Sequence, residues 1–566
     1  MRGSVLAFAS VAFCMCLPAA ELLAAPPPSP TAPTPPPVTP GQVQSSLPTQ
    51  TTPLPKAQSA PISNAAAVTP SGVAPGGPAV TVQGFDIEGN SAIPASELQA
   101  QIAGYVGKSL TLAELYDAAD VLTRYYRGKG YGLAYVSLPA QTLKGGTVKL
   151  LVVEGRVGKI AIQGNDHTRS AVFEKRATGL MSGDVYTDAA AERAVLLMND
   201  LPGVQARAVL SPGADYGSSD VLFNVEETRM SGDASVDDYG RSVIGRWRIN
   251  AEANINSLTG SGDQLNAGIT HSDGDRLNFG KLAYALPVGP AGGTLTTSYN
   301  RAEYHGIFTA AGAVGPGLPF SGSTENAVMS WQYPSTRSSS RSFYWNMGLN
   351  WDNSRSHEPG LNSLTTNILL LQIGTFYTRQ FEDQSSLNMS WTLWTNGKHY
   401  DHGAGLNNVS RERGRTELDT SYQLPFAGDW YWVDQLNLSY SANTLTDADK
   451  FNLGGPGSVL GYQSAEERGD SGYFVSTEME RQFSWGPYWP LVWGVFLDNG
   501  KVWDKAGTVG LTGDSSRGIS SGGLDLQLLP SADGLNARLQ WAYPIGRRPS
   551  DGDKGGHIWF TLGMNF

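Results

Sequence analysis

Cysteine is nearly absent from this sequence: among 566 residues only Cys14 and Cys16 carry a thiol. Both fall in an N-terminal stretch with the marks of a secretory signal. Arg2 supplies the positive start, residues 5–17 are apolar over too short a span to anchor, and Ala19, Ala20, Ala24 and Ala25 follow. Residues 1–25 are therefore expected to be removed on export; the bond stays open, because Pro26 is a poor residue after a cut. Phe13 stands where a lipoprotein needs a small residue before Cys14. The exported chain would then contain no cysteine and depend on no disulfide.

Long apolar runs are missing too. Hydrophobic residues make up 40% of the chain, yet past the start none gather into the roughly 20 consecutive apolar residues that a spanning helix needs. That excludes membrane helices and leaves a membrane β-barrel open, since its alternating strands look half polar. Positive charge is also in short supply. A formal net charge of −11 with no basic patch argues against a nucleic-acid partner. The chain is rich instead in Gly (67), Tyr (23) and Trp (14), a bias that suits turns and aromatic girdles. A soluble β-rich protein would share it.

Residues 26–78 are dominated by proline, serine, threonine and alanine, as in PPPSPTAPTPPPVTP. Such a stretch has little apolar mass to bury and is expected to be an extended, mobile periplasmic tether. Residues 79–155 form the first folding unit. Val80, Val82 and Phe85 introduce an alternating strand over 80–87. Pro94 opens a helix with Leu98, Ile102 and Tyr105 on one face. Thr111 and Glu114 make a capping box for a second helix carrying Leu115, Ala119, Leu122 and Tyr126. Strands over 133–138 and 147–153 complete a β-α-α-β-β order. The same order recurs over 156–228, with strands at 159–163, 204–210 and 220–225 and helices at 171–180 and 188–199.

From about residue 229 the period changes to two. Trp247, Ile249, Ala251, Ala253 and Ile255 interleave with Arg248, Asn250, Glu252 and Asn254. Phe343, Trp345, Met347, Leu349 and Trp351 do so with Tyr344, Asn346, Gly348 and Asn350. One face is apolar and the other strongly hydrogen-bonding, as a wet lumen requires, and closure removes the edges that lipid cannot satisfy. About sixteen such strands are expected over 229–566. Short connections at 289–293, 425–429 and 530–534 alternate with longer ones at 306–324, 353–366, 399–414 and 444–471, as in barrels with short periplasmic turns and long outer loops. The last strand places Ile558, Phe560, Leu562, Met564 and Phe566 on one face, and resembles the signal read by the barrel-assembly machinery. The fold class is thus two α+β periplasmic units followed by a 16-stranded antiparallel transmembrane barrel.

These features together resemble the outer-membrane transporters of two-partner secretion, the hemolysin and adhesin secretion/activation family. The resemblance runs over about 79–566. Residues 110–155 look like the first of the family's two POTRA domains, and residues 201–227 like the end of the second. Gly454, Gly455, Ser458, Val459, Leu460, Gly461 and Tyr462 match a motif in a loop that the family folds back into the barrel, here about 444–471. Phe496, Asp498 and Gly500 match its barrel-wall motif. In the family an arginine before the Gly-Tyr pair reaches the wall aspartate. Here that position is Leu460, so Asp498 is expected to find a substitute cation such as Arg468, or to meet water, because a buried unpaired charge is costly.

The resemblance implies export of an unfolded exoprotein (an adhesin, cytolysin or enzyme) from the periplasm of a Gram-negative cell, without cofactor or catalysis. POTRA domains offer sheet edges to which an extended client adds a strand. In the second domain the helix 188–199 and the strands carrying Val204, Ala206, Val209, Val221 and Phe223 are the candidates for that edge. Two other readings share the architecture: a barrel insertase, which commonly has more POTRA repeats, and a passive porin, which leaves the domains unexplained. Catalytic and metal readings are poor. The segment 494–501 misses phosphate-loop spacing, no G-x-S-x-G elbow occurs, and of seven histidines only His399 and His402 lie close together.

Overall fold

The computed structural model describes residues 39–47, 61–64 and 78–566, apart from 143–144, 309–316, 358–363, 397–398, 403–412, 487–488, 506–515, 531–533 and 554. The signal segment and most of the proline-rich span lie outside the described residues.

In the first unit Gly84–Glu88 runs parallel to Thr147–Val153, which also pairs antiparallel with Tyr135–Ser137. The expected first strand is split. Val80–Thr81 pairs instead with Ser109–Leu110, and Val82 N donates to Lys108 O at 2.9 Å. Helix Leu112–Gly128 begins at the capping box: Glu114 accepts from Thr111 N at 2.7 Å, and Thr111 Oγ1 from Glu114 N at 3.4 Å. Leu98, Ile102, Leu115, Ala119, Leu122 and Tyr126 pack on Val148 and Leu150. Each fully buried leucine here contributes about 1.5–3 kcal/mol of hydrophobic stabilisation. The second unit repeats the plan, with helices Ser170–Arg176 and Asp188–Asn199 over a sheet ordered Val204–Pro212, Ser218–Glu227, Arg156–Gln163.

The remaining strands close into a barrel from Met230–Asp237 to His557–Asn565. His399–His402 continues Ser386–Asn396 along strand Leu364–Gln380, so the described residues form sixteen strands, all antiparallel to their neighbours. At the seam Gly232 N donates to Phe566 O at 2.8 Å and Phe566 N to Gly232 O at 2.9 Å. A Cβ on Gly232 would come within 2.8 Å of the Phe566 ring, so the terminal aromatic needs glycine opposite it. Ile558, Leu562, Met564 and Phe566 are exposed on the outer face of the closing strand, where lipid covers them.

The outer wall carries Ile249, Ile269, Leu282, Trp331, Trp345, Met347, Leu349, Leu369, Trp391, Leu497 and Trp541, all exposed. The inner wall carries hydrogen-bonded amides and carboxylates. Asn266 Nδ2 donates to Glu252 at 2.6 Å and to Asn254 at 2.8 Å, and Asn300 Nδ2 to Asn326 at 3.3 Å. On strand Gly293–Phe308 the outward row turns from Leu295 and Tyr299 to Arg301 and Glu303, and Arg301 pairs with Glu325 of the next strand at 2.9 Å. The apolar belt ends there, and the strands continue above it. Much of the expected loops 306–324 and 353–366 is therefore strand, within Leu318–Arg337 and Arg341–His357. At 353–357 the sequence NSRSH is polar on both faces, so alternation no longer marks it.

Candidate functional site

Two elements fill the lumen. One is the loop 442–470, between strands Trp430–Ser441 and Ser471–Trp485. It turns inward and forms a small hairpin, Phe451–Leu453 with Glu467–Gly469. Gly454 and Gly455 turn the chain at φ of 103° and 93°. A Cβ on Gly454 would meet Gln463 O at 2.4 Å, so the double glycine allows the tip to fold on itself. Ser458 Oγ then accepts from Gly454 N at 2.7 Å. Val459 and Tyr462 are fully buried, among Leu453, Phe474, Val502 and Ile519, and Tyr462 Oη donates to Arg547 O at 2.7 Å. Gly461 lies against the wall, where a Cβ would be 2.6 Å from Ser521 Cβ.

The barrel-wall strand Trp489–Trp503 alternates as the sequence predicts: Phe496 and Asp498 point inward and are buried, while Val495 and Leu497 point outward and are exposed. Gly500 shares the inward parity, where a Cβ would meet Leu453 Cδ2 at 2.6 Å. Asp498 accepts from Ser476 Oγ at 2.8 Å, Ser521 Oγ at 3.0 Å and the backbone N–H of Leu460 at 3.1 Å. The expected cation at Asp498 is therefore replaced by three neutral donors. Arg468 instead binds Thr39 Oγ1 at 2.5 Å, Asn452 Oδ1 at 2.8 Å, and Asp447. The vacated arginine position is filled with apolar contact. Leu460 packs with Phe496, Ala542, Trp559 and Tyr239, and its carbonyl accepts from Trp559 Nε1 at 2.7 Å.

The second lumen element is one the composition hides. Within the proline-rich span, Pro40–Ser46 is a helix, not extended chain. Thr39 caps it and Gln42 returns the bond, with Pro40 at the first helical position, a capping box that the sequence TPGQ displays. Val43 is fully buried against Ile244, Leu277, Phe279, Ala302, Tyr304 and Phe320. Both ends are held by arginines: Arg468 on Thr39 Oγ1, and Arg248 on Ser46 O. Arg248 is itself buried and paired with Asp237 at 2.8 Å. Gln42 Nε2 donates to Ala465 O at 3.3 Å, and Arg241 donates to Ser464 O and Ala465 O, so helix, loop and wall form one bonded body.

At the periplasmic mouth the second domain grips the barrel. Arg337, 2% exposed, pairs with Asp200 at 2.8 Å, Thr168 Oγ1 donates to Ser257 Oγ at 2.7 Å, and Ser339 N to Glu192 at 2.8 Å. In that domain Val221 and Phe223 belong to Ser218–Glu227, which is paired on both sides. They are core residues of a central strand and cannot form an edge. Val204, Ala206 and Val209 lie on Val204–Pro212, which is the outer strand of the domain's own three.

A closed barrel, greasy outside and wet inside, plugged by two internal elements and preceded by two β-α-α-β-β domains, defines an outer-membrane transporter with periplasmic POTRA domains. Residues 217–523, more than half of the chain, match the family described as haemolysin secretion/activation protein ShlB/FhaC/HecB, and residues 80–155 match its POTRA domain, ShlB-type. The chain belongs to that family, whose members are transporters of secreted exoproteins and not enzymes. It is 24% identical over 523 residues to the heme/hemopexin transporter protein HuxB of Haemophilus influenzae (strain 86-028NP), covering 86% of this chain and 87% of that one. It is 22% identical over 425 residues to the outer membrane transporter CdiB of Dickeya dadantii (strain 3937), covering 72% and 73%. The structure of CdiB from Escherichia coli shares the fold, with a TM-score of 0.70 at 19% identity, covering 90% of this chain and 94% of that one.

Proposed function

We propose that this transporter receives an unfolded exoprotein as an added strand on Val204–Pro212 of its second POTRA domain and passes it through the barrel lumen. The observation that carries this reading is the seating of that domain on the barrel mouth through Arg337–Asp200 and Thr168–Ser257. A chain held on its sheet is delivered directly to the lumen. Strand addition gives affinity through main-chain bonds and so accepts many sequences. The lumen is filled by Pro40–Ser46 and loop 442–470, so export requires both to shift. Their ties are side-chain hydrogen bonds and ion pairs, which exchange more readily than the wall's strand pairing. No nucleotide or cofactor drives the step; binding, guidance and folding outside the cell make it one-way. During biogenesis the face of Phe560, Leu562, Met564 and Phe566 is offered to the barrel-assembly machinery. By its relatives' names the cargo ranges from a heme- or hemopexin-related protein to a hemolysin.

Deletion of the gene followed by mass spectrometry of culture medium and outer membranes tests this. Loss of one large exoprotein from the medium is expected. Depletion of many barrel proteins from the membrane would instead make the chain an insertase.

A further inference from the structure

The outer wall continues past the lipid tails on the strands Leu277–Val288, Gly293–Phe308, Leu318–Arg337 and Arg341–His357. Inside, Leu277, Tyr304 and Phe320 are buried in the cluster that holds Val43 of the lumen helix, so their neighbours along each strand face out. Above Tyr299 and Trp351 the outward residues form polar rows. In the first row Glu325 takes Arg301 at 2.9 Å and Asn353 Nδ2 at 2.9 Å. In the second, Glu303 stands in register with Ser323, and Ser323 with Arg355. Arg301 also reaches Glu303, at 2.5 Å. Two guanidinium groups meet two carboxylates, so these rows neutralise themselves.

The third row differs. Arg276 O accepts from His305 N at 2.9 Å, His305 is in register with Ser321, and Ser321 with His357. One outward row across four neighbouring strand ends therefore reads Arg, His, Ser, His. All four residues are exposed, and all four line one cavity of about 560 Å³. Among the described residues no carboxylate lines it. The adjacent Asp275 is turned to Asn278 Nδ2 at 2.8 Å and His271 Nδ1 at 3.8 Å. Arg276 Nη1 donates to Ser242 O at 3.0 Å, which fixes the group and uses one of its five N–H donors. Beside the row, Ile307 and Pro319 are register partners and exposed, an apolar shelf on the same cavity. A guanidinium, two imidazoles and a hydroxyl make a donor set for phosphate or carboxylate oxygens.

We propose that this row binds the anionic core sugars of lipopolysaccharide in the outer leaflet. Height selects that part of the glycolipid. His305 follows Tyr299 on one strand at a distance that places it about 20 Å further along. At the strand tilts of such barrels, about 35–45°, that is about 14–16 Å higher above the membrane. The lipid A phosphates lie next to the acyl chains, at the level of the lower rows, where Arg301 and Arg355 already have carboxylates beside them. Core sugars with phosphate and carboxylate groups stand next outward, at the level of Arg276, His305, Ser321 and His357. A free phosphate would leave most of the cavity empty and Ile307 and Pro319 uncovered. A sugar ring covers that shelf with its C–H face while its anionic group meets the donors.

The test is native mass spectrometry of the full-length protein in detergent, titrated with rough lipopolysaccharide that carries a phosphorylated core. Ser321→Glu sets a carboxylate in the centre of the row, and Ser321→Lys an ammonium. Ser321 is exposed, so both variants keep the barrel, which heat-modifiability on gels verifies. The Ser321→Glu protein is expected to bind the glycolipid about fivefold more weakly than the wild type, the worth of one exposed charge contact. The Ser321→Lys protein should bind no more weakly, and lipid A without its core should bind all three alike. Equal binding of rough lipopolysaccharide by the wild type and Ser321→Glu overturns the proposal. So does an equal loss in both variants, which would report bulk and not charge. The same fivefold loss with lipid A alone moves the contact down to the lipid phosphates and overturns the core-sugar assignment. Inorganic phosphate is the remaining arm: complete displacement of the glycolipid by it assigns the row to the free ion, and retention of the glycolipid supports the proposal.

Discussion

The backbone N–H of Leu460 donates to Asp498 Oδ2 over 3.1 Å, so at this wall carboxylate the inward loop is held by its main chain, while Arg517 of the wall holds it elsewhere through Glu467 at 2.6 Å. Two serine hydroxyls complete the carboxylate's shell. Asp498→Ala strands two buried donors, Leu460 N–H and Ser521 Oγ, and half-buried Ser476 Oγ, at about 1–3 kcal/mol for each buried one left unsatisfied. Asp498→Asn keeps an acceptor and should do less harm. The expected order of single-channel conductance fluctuation in planar bilayers is wild type, then Asn, then Ala. An Ala variant as quiet as the wild type would show that the loop is held elsewhere.

Arg468 and Arg248 hold opposite ends of the lumen helix, but the two are not equivalent. Arg248 is also the partner of buried Asp237, so Arg248→Ala leaves that carboxylate uncompensated, at about 3–5 kcal/mol. Arg468→Ala releases Thr39 and Asp447, the latter half-exposed and able to take water. Arg468→Ala is therefore expected to unplug the channel with little loss of barrel stability. Arg248→Ala should unplug it and also lower the heat-modifiability transition on gels. Entry of a bulky antibiotic into cells reports the first effect. Identical gel transitions for the two variants would contradict the distinction.

Period-two alternation made the wall legible, because each strand carries its own record of which side meets lipid. The terminal Phe566 and the capping box at Thr111 were legible for the same reason: their signals lie within a few residues. The lumen helix was not, although Thr39, Pro40 and Gln42 spell a helix start, because the surrounding prolines dominate the composition. What makes seven residues a stable helix is Val43 buried by three strands and a loop, and no local pattern reports that. Arg468 failed as a partner for Asp498 for a related reason. Charge complementarity across a folded loop depends on which face the hairpin presents, and the hairpin turns Arg468 toward Asp447 and Thr39. The strand Ser218–Glu227 looked as apolar as an edge strand does; only its pairing on both sides excludes it.

The Glu154 carboxylate ties the start of the first domain's helical layer to its last strand. It accepts from Ser91 N at 2.6 Å, Ala92 N at 2.7 Å and Tyr126 Oη at 3.1 Å. Burial disfavours its charge, yet these donors outweigh burial and hold it below the usual carboxylate range. A depressed folded value means stability that is fully present above the unfolded value, about 4.3, and lost as pH falls through the folded one. Hydrogen-exchange protection of Ser91 and Ala92 in the full-length protein should thus hold at pH 6 and fade below about pH 4. Glu154→Gln should show reduced protection at both pH values and no further fading. A pH response retained in that variant would place the titrating group elsewhere.

Arg337 and Asp200 join two bodies that must move if the docked chain is to be handed from the sheet to the lumen. Arg337 is 2% exposed and Asp200 19%, with both guanidinium Nε and Nη2 aimed at the carboxylate. Fork geometry of this kind fixes orientation as well as distance. Arg337 lies at the barrel end of a wall strand and Asp200 caps helix Asp188–Asn199, so breaking the pair frees the domain without touching its docking edge. Arg337→Lys keeps the charge and loses the fork, and is expected to weaken domain seating less than Arg337→Ala. A double-mutant cycle with Asp200→Ala should return a coupling of about 0.5–3 kcal/mol, read from denaturant unfolding of the second domain. Export should respond differently from stability. If the seat guides the client, Arg337→Ala lowers exoprotein in the medium at unchanged transporter level in the membrane, and the double variant is no worse than either single one. Additive losses of export would mean that the two residues act on separate steps and that their contact positions nothing.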